Sequence, residues 1–488
     1  MRIAVIGAGL GGLAAGLRLQ GAGHEVVILE QGTAPGGRAS RLRDGGFTWD
    51  TGPSLITMPW VLEETFAAAG LDLHAEVRLR RLDPLYRIRW ADETRHLDFT
   101  GDRERLRAEV AKFSAADAGR LDGFLDALAP IYAEGILGAG RRDMSSLAAF
   151  ARVVPAMVRH GALAPLHRLV ARHLHHPRVR EAFSFHSLFI GGDPFRVPAI
   201  YAALVHLQML DGGWYADGGV YAVVEAMARA LDVRCGARVD RVELRHGRVA
   251  GVVLEGGERV AADAVVSNAD ALGTHELLGR PAPRRSLRPT MSCFLLYLGA
   301  DRTFDALLHH TLLVGPGYRE FIRTATRGRT LPSTLSTYVH APARSEPGMA
   351  RPGGDSLCVL LPVPNLRARI DWGTEADGLR DAVLDDLERV HGLTGLRAAI
   401  SVEHRMTPAD FRDRFGAVAG NAFAVEPTLH QSAYLRPGNR VPGVRGLYRV
   451  GGGTHPGAGI PGVLLGAEVT ARLVATDFPA PRRAEALR

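Results

Sequence analysis

The chain opens with an unbroken apolar run, Arg2 to Ile6, and from Leu13 to Gln20 its apolar positions recur at helical spacing, so a buried strand followed by a helix is predicted. EVVILE, ending at Glu30, alternates apolar residues and predicts a second strand; residues 60 to 69 carry one apolar helical face. YRIRW and TRHLDF flank a polar turn and predict a hairpin. From about residue 102 to 230 the pattern is helical, and prolines are expected to cut the stretch from 141 to 180 into short pieces. Residues 212 to 270 read as a turn, a helix, a strand holding Val239, a meander of short strands and a last apolar strand, Asp263 to Ser267. MSCFLLYLGA and DSLCVLLPVP predict further strands, residues 375 to 391 a helix, and GLYRV a strand near the C-terminus.

Two glycine-rich turns interrupt this pattern near opposite ends of the chain. In the first, Gly7, Gly9 and Gly12 form GxGxxG between strand and helix, with Gly11 in the same turn. Gly7 permits the tight turn, Gly9 lets a pyrophosphate approach the backbone, and Gly12 lets helix pack on strand. The helix N-terminus offers free N–H groups and partial positive charge to phosphates. Glu30 lies 18 residues after Gly12, where a carboxylate accepts from the ribose hydroxyls of an adenosine. A dinucleotide site is therefore expected. The second turn, VGGGTHPGAGIPG at 450 to 462, holds six glycines and two prolines. If both turns face one ligand, that ligand is long and the chain ends meet around it.

With 488 residues the chain exceeds the usual size of a single core, so two or more structural units are expected. The net charge of +7 suits an anionic partner, but Lys112 is the only lysine and every other cation is arginine, a bias that coding explains as well as function does. Nothing in the sequence suggests a nucleic-acid module: no CxxC pairs, no basic helix with heptads and no basic stripe interleaved with aromatics. A GxxxxGK[ST] loop cannot be built around that lone lysine. Cys235, Cys293 and Cys358 are far apart in apolar contexts, which argues against a disulfide framework and for a reducing compartment. No apolar run reaches the ~20 residues that span a bilayer. The start of the chain imitates a secretory signal, a charge and then an apolar run, but its glycine spacing has the other explanation given above. His173, His175 and His176 lack the i, i+4 pair of an HExxH site and HELLG at 275 to 279 lacks a second histidine, so no metal is expected. There is no GxSxG elbow or thiol motif either.

Gly36-Gly37 followed by Arg38 resembles the second fingerprint of the FAD-dependent amine oxidase superfamily, whose glycines approach the cofactor phosphates and whose arginine steadies the segment against the flavin half. The alternative for Arg38 is a solvent-facing loop cation. FTWDTGP resembles the strand that passes the flavin ring, with Gly52 and Ser54 beside it. Residues 407 to 474, with FSFHSLFIGGDPFRVPAIYAAL at 183 to 204 and the N-terminal fingerprint, resemble the carotenoid desaturases of bacterial phytoene desaturase type, and the likeness runs essentially end to end.

That resemblance implies an α/β fold. A Rossmann-like FAD-binding domain is drawn from residues 1–75, 212–285 and 425–488; a mixed α+β substrate domain, 76–211 and 286–424, is inserted in it, with a helical membrane-associating part at about 141–180. FAD would lie between the two glycine turns, with Glu30 on the adenosine ribose and Gly453, Thr454 and the backbone of Gly459, Ile460 and Val463 near the ribityl chain and ring. Many flavoproteins carry a glycine-aspartate pair at this second turn; Gly453-Thr454 departs from it and shifts those contacts to backbone. Val239 would pack near the adenine, or serve as a plain core valine.

The implied reaction is desaturation of an apolar polyene precursor, phytoene first, with the flavin ring itself as the reactive group and no protein catalytic residue named. Asp211, Asp217 and Glu426 read as ordinary ion-pair partners. The tunnel is expected to be lined from MSCFLLYLGA and FSFHSLFI. Short arginine-rich amphipathic helices between 141 and 180 suit a membrane interface or equally a buried helical layer; a bilayer-dwelling substrate favours the former, hence peripheral attachment to the cytoplasmic membrane. With no second dinucleotide fingerprint, quinone or oxygen is the expected electron acceptor. A desaturase, isomerase or saturase of another carotenoid, a non-catalytic isoprenoid carrier of the same fold, and an amine or amino-acid oxidase are the competing readings.

Overall fold

The computed structural model describes residues 1–280 and 287–479; the ends of the expected segments 212–285 and 425–488 lie outside the described residues. Five parallel strands form the first sheet, in the order β19 (Leu447–Arg449), β13 (Ala264–Ser267), β1 (Arg2–Ile6), β2 (Glu25–Glu30) and β9 (Asp232–Cys235). β1 lies at its centre, Ile3 paired with Ala264 on one side and with Val26 on the other. Two helices cover it: α1 (Leu10–Gly21), which follows β1 directly, and α3 (Val220–Arg229). A three-stranded antiparallel sheet, β10 (Val239–Arg245), β11 (Arg248–Leu254) and β12 (Arg259–Ala261), packs near its other face through Val242, Val252 and Leu447.

The second large sheet has seven strands, ordered β18 (Ile400–Met406), β14 (Ser292–Ala300), β17 (Asp355–Val363), β16 (Thr337–His340), β15 (His310–Val314), β6 (Tyr86–Trp90) and β7 (His96–Phe99). Only β15 and β6 pair in parallel. Every residue of β14 is buried, so its apolar run does not alternate with polar residues, as a strand covered on both faces requires. Phe294, Leu296 and Leu298 face the main core, where Phe294 stacks on Trp372; Cys293, Leu295 and Tyr297 face a separate cluster around Phe47 and Trp49. Two small antiparallel pairs complete the strands: the hairpin of β3 (Arg41–Asp44) with β4 (Phe47–Asp50), and β5 (Leu79–Leu82) with β8 (Gly213–Ala216), which are distant in the chain.

FTWD is a strand, as expected; it pairs in the β3–β4 hairpin, and Trp49 anchors it by donating to the carbonyl of Leu298 at 3.3 Å. β8 and β9 are four residues each, too short to show a period, and pairing partners hold them. Prolines divide residues 141 to 180 into short helices as expected at Pro165, which precedes Leu166–His173, and at Pro177, which opens Pro177–Ser184, but not at Pro155. Helix α2 (Leu147–Arg159) runs through Pro155, because Pro155 and Ala151, whose carbonyl loses its partner, both face solvent. Burial along that stretch is uneven. In α2 only Met157 is buried, whereas Leu166, Leu169, Val170, Val179 and Phe183 of the next two helices belong to the main core. Among the described residues no helix is long and apolar enough to cross a membrane.

Candidate functional site

A cavity of about 1030 Å³ begins at the first glycine turn and continues into the seven-stranded sheet. Its polar end is built where β1 and β2 stop. Gly7, at φ +92°, turns the chain, and Gly9 caps α1. A Cβ on Gly12 would lie 2.0 Å from the carbonyl oxygen of Gly7, so only glycine lets α1 pack this close to β1. Glu30 ends β2 and is buried; its carboxylate accepts from the backbone N–H of Ala8 at 2.7 Å and of Gly32 at 2.8 Å while it lines the cavity. Those two bonds hold the carboxylate where its remaining lone pairs can accept from a ligand hydroxyl.

The C-terminal turn arrives at the same cavity. Helix α4 (Ile460–Asp477) starts there with Gly459 as its N-cap, at φ +93°. A Cβ on Gly11 would sit 3.0 Å from the Val463 side chain and 3.2 Å from Gly451, so the two glycine turns touch. Two helix N-termini therefore open on one space, each with unpaired N–H groups and partial positive charge. Two guanidinium groups add to this, Arg436 buried and Arg38 half-buried. Arg38 donates to the backbone and side-chain oxygens of Asn421 at 3.3 and 3.2 Å, and Arg436 donates to the carbonyl oxygens of Gly452 and Thr454 at 2.6 and 3.2 Å. Burial pushes both guanidiniums down from their ordinary value, with Asp270 opposing at Arg38 and Tyr201 at Arg436. Arg38 Nε and Arg436 Nη1 are buried without a partner, and both residues line the cavity. Buried donors of this kind ask for an anionic acceptor. The donor set fits the phosphates of a dinucleotide, and Glu30 fits its ribose.

Gly7, Gly9, Gly11, Glu30, Gly37, Arg38, Gly52, Ser54, Val239, Gly453, Gly459, Ile460 and Val463 all line this cavity. Arg38 is half-buried, with its Nε shielded from solvent and its guanidinium on Asn421, and is not a solvent-facing cation. Gly12 and Thr454 do not line it. Gly12 serves the helix–strand contact, and Thr454 is fully buried behind the loop, its carbonyl held by Arg436. The expected contact from Thr454 is thus corrected to a structural one: the turn shows the cavity its backbone on either side of that residue. Asp217 pairs with Arg80 and Glu426 with Arg327, as expected of ordinary ion pairs; Asp211 instead accepts from the Trp60 indole.

Other contributors carried no sequence signal that was read. Asn268, directly after β13, fills the space between Gly7, Gly9, Gly11 and Gly451. Asn421 links Arg38 to Asp270 through its amide, 2.9 Å from the carboxylate. Asp50, at the end of β4, accepts from the N–H groups of Val220 and Tyr221 at the start of α3, and so fixes the approach of Thr51 and Gly52 to the cavity.

Beyond Ser54 the lining becomes apolar. Met291, Cys293 and Leu295 come from the first of the two segments expected to line a tunnel, and Phe185, Leu188, Phe189 and Ile190 from the second; Ile88, Leu207, Leu312 and Val314 complete the wall. The carboxylate along this half, Glu181, accepts from the Trp90 indole at 2.7 Å and from Arg178 at 2.9 Å. Such a channel takes a long apolar molecule and excludes water from it.

A family model described as flavin containing amine oxidoreductase matches residues 10–475. The chain is 39% identical to the phytoene desaturase (lycopene-forming) of Pseudescherichia vulneris, across 97% of this chain and 99% of that protein. It is 37% identical to the phytoene desaturase (neurosporene-forming) of Cereibacter sphaeroides, across 99% and 96%. A solved oxidoreductase from Methanosarcina mazei shares the fold, with a TM-score of 0.65 at 19% identity over 96% of this chain and 99% of that one.

Asp50 gives the site a pH dependence. Burial raises its carboxyl to about 7. The folded chain therefore keeps this proton after the unfolded chain has lost it, so stability falls as pH rises from the ordinary carboxyl range to about 7 and is level on either side. Asp50→Asn keeps an acceptor for α3 and has no proton to lose. The difference in Tm, variant minus wild type, is expected to grow in favour of the variant between about pH 4 and pH 7; a difference constant across that window contradicts the assignment.

Proposed function

The chain belongs to the flavin-containing amine oxidoreductase family and, within it, to the phytoene desaturases, and on that premise we propose that its cavity holds FAD at the polar end and a carotenoid precursor, phytoene first, along the apolar end. The protein is an FAD-dependent oxidoreductase of carotenoid desaturation. The observation that carries the assignment of the two ends is the continuity of one cavity from Glu30 and the glycine turns to Phe185 and Phe189.

In this reading Glu30 accepts from the adenosine ribose, the α1 N-terminus and Arg38 face the pyrophosphate, Val239 packs near the adenine, and Gly52, Ser54, Gly453 and the start of α4 border the ribityl chain and ring. When bound, the flavin supplies a two-electron acceptor able to take hydride from an allylic carbon. The chain's own part is to align the polyene and keep water out, since an apolar substrate offers no polar handle. Glu181, doubly held by Trp90 and Arg178, is poorly placed to leave its partners for a carbon-bound proton. No second dinucleotide fingerprint is present in the sequence, which favours quinone or oxygen as final acceptor.

Helix α2 supports peripheral attachment to a membrane. Leu147 is 65% and Val158 60% exposed, and Tyr434, whose ring lies 6.3 Å from that of Phe150, is exposed beside them. Arg152 and Arg159 on the same helix are exposed as well. Apolar side chains with interspersed arginines suit the headgroup boundary of an anionic bilayer.

Gly9→Trp, which fills the pyrophosphate approach, is expected to yield folded protein without bound flavin and without desaturated product from phytoene in liposomes. Retained flavin in that variant contradicts the cofactor placement. Glu30→Ala is expected to weaken FAD binding by about tenfold, the loss of a charge-assisted hydrogen bond pair; an unchanged Kd removes the ribose contact. Wild type is expected to sediment with anionic liposomes, and Leu147→Glu/Val158→Glu to remain largely in the supernatant. Equal sedimentation of both proteins rules out α2 as the docking element.

A further inference from the structure

A second polar cluster lies behind the cavity wall, in the middle of the seven-stranded sheet. His310 starts β15 and His340 ends β16, and the antiparallel register pairs them directly. Paired residues of neighbouring strands put their side chains on one face. His309, just before β15, is drawn to the same place; its carbonyl accepts from the N–H of Ala341, and its ring stands 4.5 Å from His310 and 5.0 Å from His340. All three are buried, and one ring nitrogen from each lies within 4.8 Å of the other two.

The outer nitrogens are already committed. His309 Nδ1 is 2.7 Å from Ser345 Oγ, and His310 Nδ1 is 2.6 Å from the Tyr338 hydroxyl. This leaves Nε2 on both rings. His309 Nε2 faces His340 Nε2 at 3.2 Å, and His310 Nε2 is buried with no partner at all. Two ligand nitrogens on a tetrahedral ion with bonds of about 2.0–2.1 Å stand roughly 3.3 Å apart, so the separation of His309 and His340 is the edge of such a site. An unpaired buried nitrogen costs free energy that a ligand bond recovers. Metal-bound histidines characteristically bond outward through their other nitrogen, which fixes the ring; Ser345 and Tyr338 stand in those positions.

We propose that His309, His310 and His340 hold one zinc ion through their Nε2 atoms, with the fourth position open to water. Negative charge is close: Tyr215, whose ring stands 4.6 Å from that of His309, donates to Glu346 at 2.7 Å. Imidazole ligands suit zinc, and the site has no redox partner to suggest a role in the flavin chemistry. Its link to the cavity is mechanical. Tyr338 touches both His310 and, at 2.8 Å, Ser54, and Tyr338 and Ser54 both line the cavity. An ion at the three histidines would fix the wall against which substrate and flavin meet. The sequence-based expectation of no metal rested on ligand spacing within single segments; these ligands come from two strands 30 residues apart and meet only through sheet register.

The test is metal content and uptake, neither of which depends on the flavin assignment. Purified holoprotein, dialysed into metal-free buffer, is analysed by mass spectrometry for bound metals. It is then stripped with chelator and titrated with ZnCl2 and CoCl2, with Tm followed. About one zinc per chain, or uptake of about one equivalent of added metal with a rise in Tm, is expected. His310→Gln and His340→Gln are each expected to weaken uptake by about tenfold or more, while His173→Gln keeps it. If stripped and unstripped wild type both hold no stoichiometric metal and take up none, the proposal is overturned, whether or not the variants fold. Equal uptake by wild type, His310→Gln and His340→Gln places the metal elsewhere and overturns it too.

Discussion

Parallel pairing at the centre of the first sheet is the constraint on which the site depends. β1 is hydrogen-bonded to β13 from the middle of the chain and to β2, and β13 carries β19 from near the C-terminus. Parallel strands align their C-terminal ends, and ligands of open α/β sheets bind beyond those ends. The turn after β1 and the turn after β19 therefore emerge side by side, although almost the whole chain separates them. Glycine makes the meeting possible. Gly11, Gly451 and Asn268 are so close that a side chain on either glycine would strike the asparagine within 2.7 Å. The two helices that follow, α1 and α4, then direct their N-termini into a common space.

From this junction the cavity changes character along its length. At one end, backbone N–H groups, Glu30, the half-buried Arg38 and the buried Arg436 provide charge and hydrogen bonds. At the other, strands β14 and β15 and the segment around Phe185 offer mainly shape and apolar contact, with Glu181 held by Trp90 and Arg178. A long cofactor with a charged middle and a planar end, meeting a long substrate without polar groups, is what such a gradient accommodates. The seven-stranded sheet contributes more than a wall. Its odd and even positions face different clusters, so one side supports the β3–β4 hairpin that leads to Thr51 and Gly52, while the other closes the main core.

Much of this was legible in the sequence. β1, α1 and β2 follow from period and glycine spacing, because each is a local pattern with a local cause. The end-to-end likeness to carotenoid desaturases placed the second glycine turn opposite the first. What escaped depends on contacts between distant residues. β8 and β9 are four residues each, too short to show a period, and pairing with distant strands makes them strands. Asn268, Asn421 and Arg436 look like loop residues until tertiary structure sets them against the glycine turns and Arg38. Thr454 shows the reverse: the motif containing it was recognised, but backbone geometry turns that side chain away from the cavity. The histidines at 309, 310 and 340 come together through the register of a hairpin whose connection carries a helix, which no spacing rule anticipates.

The central claim is that one cavity brings an apolar polyene to the flavin. Its most direct test mixes FAD-loaded protein with phytoene-containing liposomes in the absence of oxygen and follows absorbance. The account predicts bleaching of the oxidised flavin together with new polyene bands, the two growing at the same rate. Flavin that remains bound and fully oxidised while phytoene is present would contradict it.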